Sequence, residues 1–173
     1  IDFSSVLKKV RPLQPDVVFV PGYIQNSGFI INQARKMKIR SIFLGGDGWS
    51  GNEMYKYGKK AIEGSYYSQH WHSKVPFHRS QQLQANYYRK YGTKILPGVL
   101  PTAYDAVMVL ADAIRRAQSL KHKKIRDTLA VTKNFQGATG TITFDENGDP
   151  VNKDAAILKF ENGTSVYVKT IKP

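Results

Sequence analysis

Pro15-Asp16-Val17-Val18-Phe19-Val20-Pro21-Gly22-Tyr23 is the stretch whose reading decides the fold. Val17–Val20 are four β-branched or aromatic residues in a row, with no polar position to face water. Such a run is expected of a strand buried on both faces of a parallel sheet. Pro21 and Gly22 end it, because Pro cannot donate to a ladder. Downstream, Ile30, Ile31, Ala34 and Met37 recur at helical spacing, which predicts a helix over 26–37. Ser41-Ile42-Phe43-Leu44 is a second strand, and Gly45-Gly46-Asp47-Gly48-Trp49-Ser50-Gly51 is the loop beyond it. A short helix over 53–59 leads to a strand over 64–71. Upstream, Asp2 or Ser4 is placed to cap a helix with Phe3, Val6, Leu7 and Val10 on one face, ended by Pro12 and Pro15. This alternation is βαβ architecture, in which the loops at the carboxyl ends of the strands carry function.

After Trp71 the character changes. His72-Ser73-Lys74-Val75-Pro76 reads as a crossover. Helices follow over 79–91, 101–118 and 123–131; the second places Ala106, Leu110, Ala113, Ile114 and Ala117 on one face. A strand is expected over 140–144, then turn chemistry through Asp145-Glu146-Asn147-Gly148-Asp149-Pro150. Two last strands, over 156–160 and 165–170, flank Asn162-Gly163, a hairpin signal.

Composition narrows the function classes. The 173 residues include no Cys, which excludes a disulfide scaffold, a Cys-ligated metal centre and a cysteine nucleophile. No apolar run reaches the length of a membrane-spanning helix. Ile1-Asp2-Phe3-Ser4 shows neither a basic n-region nor an apolar h-region, and there is no initiating Met, so a processed or cut chain is expected. Lys and Arg number 26 against 13 Asp and Glu, a net charge of +13. The excess is spread along the chain. One cluster (Arg115, Arg116, Lys121, Lys123, Lys124 and Arg126) has no acid between its ends and could contact phosphate. The plainer reading is a solvated helix end whose cations suit the helix dipole. No recognised nucleic-acid motif accompanies it, so no nucleic-acid partner is expected.

Gly46-x-Gly48-x-x-Gly51 matches a dinucleotide fingerprint in spelling only. A phosphate cradle needs bare amides, whereas this loop presents the Asp47 carboxylate and the bulk of Trp49. Asp47 there suits an ammonium group, and Trp49 could wall an apolar or cationic ligand. An Asx turn is the alternative for Asp47. Asp145-x-Asn147-x-Asp149 begins like a calcium loop but has Pro150 in place of the Gly and Ala156 in place of the Glu. His70, His72 and His78 lack a further ligand for zinc. With no Gly-x-Ser-x-Gly and no other catalytic group, the chain reads as a binding protein, not an enzyme, with neither metal nor cofactor.

Several stretches together carry a resemblance: Pro15–Tyr23, then Gly46-Asp47-Gly48-Trp49, then Ala103-Tyr104-Asp105-Ala106, then Phe135-Gln136-Gly137-Ala138-Thr139-Gly140-Thr141-Ile142-Thr143-Phe144-Asp145, then Asn147-Gly148-Asp149. Their order and spacing resemble the C-terminal half of type I periplasmic solute-binding proteins of the leucine/isoleucine/valine-binding branch, which serve ABC importers. The resemblance implies an α/β fold of two Rossmann-like lobes with mainly parallel sheets, lacking the N-terminal half. Residues 1–71 would be the later part of lobe 2, residues 72–150 the later part of lobe 1, and 151–173 C-terminal strands returning to lobe 2. It implies that Tyr23 packs over an amino-acid ligand, that Asp47 receives the α-ammonium group and that Trp49 adds an aromatic wall. An aromatic pocket position of lobe 1 falls near Val99. The implied partners are the amino acid, a membrane permease of the ABC transporter and the missing N-terminal half, in a periplasmic or extracellular location with or without a lipid anchor. A ligand-sensing domain of the same fold in a receptor or regulator, and a basic nucleic-acid-binding protein, are the alternatives.

Overall fold

The computed structural model describes residues 1–94 and 96–173. The chain divides into two compact units, Ile1–Gln69 with Ala156–Thr170, and His70–Ala155 with Ile171–Pro173.

The first unit is built on a sheet. Helix α1 spans Ser4–Val10, strand β1 Val17–Phe19, helix α2 Ile24–Lys36, strand β2 Ile42–Gly45, helix α3 Met54–Gly58 and strand β3 Tyr66–Gln69. Strands β1, β2 and β3 run parallel in that spatial order. The late strands β6 (Ala155–Glu161) and β7 (Thr164–Ile171) extend the sheet beyond β3, with β6 antiparallel to it. Residues Asn162 and Gly163 both have positive φ, as a tight hairpin turn needs, and Glu63 accepts both of their N–H groups. The core gathers Leu7, Ile31, Ala34, Phe43, Trp49, Met54, Ile62, Tyr67, Leu158 and Phe160. At about 25 cal/mol per Å² of apolar surface, burying each large side chain contributes roughly 1.5–3 kcal/mol. The stripe expected on α2 is buried at Ile31 and Ala34, with Ser27 and Gly28 buried beside them.

Two expectations are corrected here. Val17–Val20 was expected to be covered on both faces, yet Val17 is 47% and Phe19 62% exposed, and Ile42 is exposed beside them. Successive strand residues point to opposite faces. Val18 packs against the core while the face bearing Val17, Phe19 and Ile42 is open to solvent, and β1 ends the sheet. In α1, Val6 is likewise exposed, and Leu7 with Phe3 and Val10 makes the contacts to the core. Asp2 does work at this helix start, accepting the Ser4 N–H at 2.9 Å.

The second unit holds helices α4 (His78–Tyr91), α5 (Leu100–Ala117) and α6 (His122–Ala130) and a small hairpin of β4 (Phe135–Gly137) with β5 (Gly140–Ile142). The face expected on α5 is displaced. Pro101, Asp105, Val109 and Ala113 form its buried ladder at four-residue spacing, while Leu110 is exposed. The cause is Asp105. Its carboxylate is buried and accepts the N–H of Ala138 at 2.6 Å, the N–H of Thr139 at 2.8 Å and the Thr139 hydroxyl at 2.7 Å. A side chain at Gly137 would sit 2.5 Å from an Asp105 carboxylate oxygen, which explains the glycine. Asp105 thus pins the β4–β5 turn to α5. Strand β4 was not foreseen, since a three-residue segment with a central Gln leaves no periodic signal.

Candidate functional site

Parallel β1 and β2 bring two loops side by side at their carboxyl ends. β1 finishes where the Val20 N–H donates to the Leu44 carbonyl at 2.9 Å, and the chain turns through Pro21-Gly22 into α2. Tyr23 is the capping residue at the start of α2, in extended geometry, and is 81% exposed. A helix start carries unsatisfied N–H groups and partial positive charge. The loop after β2 folds into a single 3-10 turn over Asp47–Trp49, closed by the Ser50 N–H donating to the Asp47 carbonyl at 3.0 Å. The loops touch at glycine. A Cβ on Gly48 would lie 2.7 Å from the Gly22 carbonyl oxygen and 3.4 Å from the Tyr23 ring, so no other residue fits that approach.

The structure places the three expected site residues in two different settings. Tyr23 and Asp47 are both exposed on the adjoining loops. Trp49 is fully buried; its ring lies so close over Gly45 that a Cβ there would come within 2.2 Å of it. Trp49 is therefore a core residue beneath the turn instead of an exposed wall, and its indole N–H is buried with no hydrogen-bond partner. Val99, exposed just before α5, belongs to the second unit.

One contributor escaped the sequence reading. Gln69, at the carboxyl end of β3, is buried and its side-chain amide donates to the Ser50 hydroxyl at 2.7 Å. Ser50 closes the turn that presents Asp47, so Gln69 ties that turn to the third parallel strand. A lone Gln at a strand end has no sequence signature; only the register of β2 against β3 reveals it.

The other constellations resolve into structure. Asp145 accepts the N–H groups of Asn147 at 2.9 Å and Asp149 at 2.8 Å, so the calcium-like stretch is a self-capped turn. These backbone bonds hold the Asp145 carboxyl below its ordinary range. His72 accepts the Lys74 N–H at its Nδ1, and burial with the Lys74 charge pushes its titration down. Among the described residues no three His, Asp or Glu side chains are grouped to hold a metal. The basic cluster is largely paired within its unit. Arg115 and Arg116 bind Asp112 at 2.5 and 2.7 Å, while Lys123 and Arg126 bind Asp127 at 3.0 and 2.5 Å.

Comparison with known proteins decides the family: the one described as "Periplasmic binding protein" matches residues 1–165. This chain belongs to that family. It is 27% identical over 167 residues to the Leu/Ile/Val-binding protein homolog 1 of Brucella suis, covering 94% of this chain and 43% of that protein. It is 26% identical over 175 residues to the leucine-, isoleucine-, valine-, threonine- and alanine-binding protein of Pseudomonas aeruginosa, covering 97% of this chain and 44% of that one. Among solved structures, the leucine binding protein LivK of Thermotoga maritima superposes with a TM-score of 0.93 at 34% identity, over 99% of this chain and 49% of that one. The branched-chain amino acid transporter substrate binding protein LivJ of Streptococcus pneumoniae, in complex with isoleucine, gives 0.84 at 31% identity, over 99% and 49%. The periplasmic binding protein chain described here thus spans about half the length of these relatives. Its fold is the mixed α/β, mainly parallel fold of that family, and the relatives are substrate-binding proteins, not enzymes.

Proposed function

We propose that this chain supplies the C-terminal half of an extracytoplasmic solute-binding protein that presents an amino acid, branched-chain or related, to the membrane permease of an ABC importer. The single observation that carries the reading is the apposition of Tyr23 and Asp47, both exposed, on loops that meet at Gly22 and Gly48. Asp47 receives the ligand's α-ammonium group in a charge-assisted hydrogen bond, and the Tyr23 ring packs on its aliphatic part. Trp49, from beneath, keeps the turn rigid. In this reading residues 1–71 and 151–173 belong to lobe 2 and residues 72–150 to lobe 1. The N-terminal half is the partner that completes both lobes and covers the open face at Val17, Phe19 and Ile42.

The test is native mass spectrometry in an equimolar amino-acid mixture, on this chain assembled with an N-terminal half. One small adduct of amino-acid mass is expected, and its loss in Asp47→Asn and Tyr23→Ala. An assembled protein that takes up no amino acid, or one whose adduct survives Asp47→Asn, overturns the assignment.

A further inference from the structure

Four of the six cations of the 115–126 cluster share two carboxylates, Asp112 and Asp127, in the fold. A second group of cations, at one end of the first unit's sheet, has no such partners among the described residues. A cleft of about 1040 Å³ opens at the amino ends of β1 and β2, opposite the loops of Tyr23 and Asp47. Lys8 and Arg11 reach it from the end of α1, and Lys38 and Arg40 from the segment between α2 and β2. These cations are 27 or more residues apart across the two walls, so no sequence window displays them as a group. Among the described residues none of the four is in a salt bridge. Asp16 is the one carboxylate in the lining.

Helix dipoles do not account for this charge. Both α1 and α2 end at the cleft, and each helix end carries about half a negative charge, roughly −1 for the pair. With Asp16 that leaves about two positive charges uncompensated within the lining, and the exposed Asp2 carboxylate acts on Lys8 from outside it. We propose that this cleft is a binding site for a phosphate-bearing polyanion. Arg11 and Arg40 supply planar forks that match two phosphate oxygens each, Lys8 and Lys38 supply mobile point charges, and the cleft has room for more than one phosphate group. The same chemistry is offered by a soluble polyphosphate chain and by an anionic phospholipid headgroup.

The experiment uses the chain assembled with an N-terminal half, with tripolyphosphate in one arm and phosphatidylglycerol–phosphatidylcholine vesicles in the other. Titrations are run at low and moderate salt. Lys8→Glu with Arg40→Glu is compared with Lys121→Glu with Lys124→Glu, which changes the net charge equally at exposed positions outside the cleft. The cleft pair should weaken binding by about tenfold or more and flatten the salt dependence, and the control pair by less than about twofold. Tripolyphosphate binding with that contrast assigns a soluble ligand; the same contrast with vesicles only assigns a headgroup. Equal losses in both pairs, or no binding of either probe by the parent, overturn the proposal. Should the charge reversals shift the thermal melt, the Lys8→Gln, Arg40→Gln pair is read instead, with a loss of at least threefold expected.

Discussion

Asp105 and Asp47 are the same side chain used in opposite ways. Asp105 is buried, carries three hydrogen bonds from residues over thirty positions away, and is what makes α5 and the β4–β5 turn one body. Asp47 is exposed at the head of a short turn, and the structure around it, from Gly45 and Trp49 below to Gln69 at the side, fixes where the carboxylate stands. The first aspartate stabilises the fold; the second, in the function proposed above, is held by the fold for a ligand. Burial with satisfied donors, not residue type, separates a structural from a binding carboxylate.

The sharpest way to break this comparison is Asp105→Ala. It strands three buried donors and leaves the nearby Lys153 ammonium, itself half-buried and bonded to Thr139, with Asp154 as its remaining counter-charge. A loss of about 3–5 kcal/mol in urea-unfolding stability of the second unit is expected. Gly137→Ala should act in the same direction, because its methyl group would overlap that carboxylate. A loss below about 1 kcal/mol for Asp105→Ala would show that the hydrogen bonds are incidental.

Asp47→Asn should give the mirror image. Stability should change by no more than about 0.5 kcal/mol, as for an exposed site. Amino-acid affinity of the assembled protein should fall by about 2–5 kcal/mol if the carboxylate meets a desolvated ammonium. Calorimetric titration and thermal melting on the same samples separate the two quantities. A melt that collapses while affinity per folded molecule holds would place Asp47 with Asp105 instead.

The contrast also marks what the sequence could show. Strands β1 and β2, helix α2 and the Asn162-Gly163 hairpin were legible because apolar periodicity and turn chemistry are local. The glycine-rich loop after β2 reads as a binding element, and is proposed as one above, because a carboxylate and a bulky ring stand where a phosphate cradle needs neither. The face of α5 was misread because periodicity counts a carboxylate as outward, and only the partners at Ala138 and Thr139, distant in sequence, reverse that. Trp49 was read as a wall because an aromatic residue beside an aspartate looks the same whether its ring faces solvent or the core. The cover of β1 was overestimated for a related reason: a run of apolar residues reports that both faces want burial, not which segment provides it.

Gln69 tests the middle ground between the two aspartates. Gln69→Leu keeps the volume near β3 but leaves the Ser50 hydroxyl without its donor, so a modest stability loss of about 1–2 kcal/mol is expected. Ligand affinity should fall too, by less than for Asp47→Asn, and the two effects should not add. With Asp47 already replaced, freeing its turn has nothing left to misplace. Full additivity in the double variant would mean that Gln69 acts on the fold alone.

The smallest effect belongs to Asp145, whose bonds are all local. The N–H of Asp149 and then that of Asn147 favour its ionised form, so its folded titration lies below the ordinary carboxylate value. A depressed folded value contributes stability that is present above the unfolded value and is lost as pH falls through the folded one. Parent and Asp145→Ala should therefore melt apart at neutral pH and converge on acidification, when protonation removes the acceptor the variant already lacks. Asp2, Asp112 and Asp127, also held low by their partners, titrate in both proteins and cancel from the difference. A gap that persists at low pH would mean that the turn depends on the positive φ of Gly148 and the flanking Phe144–Pro150 bridge, with the carboxylate a bystander. Asp145 would then mark the far end of a scale on which an aspartate's worth is set by how far away its donors lie.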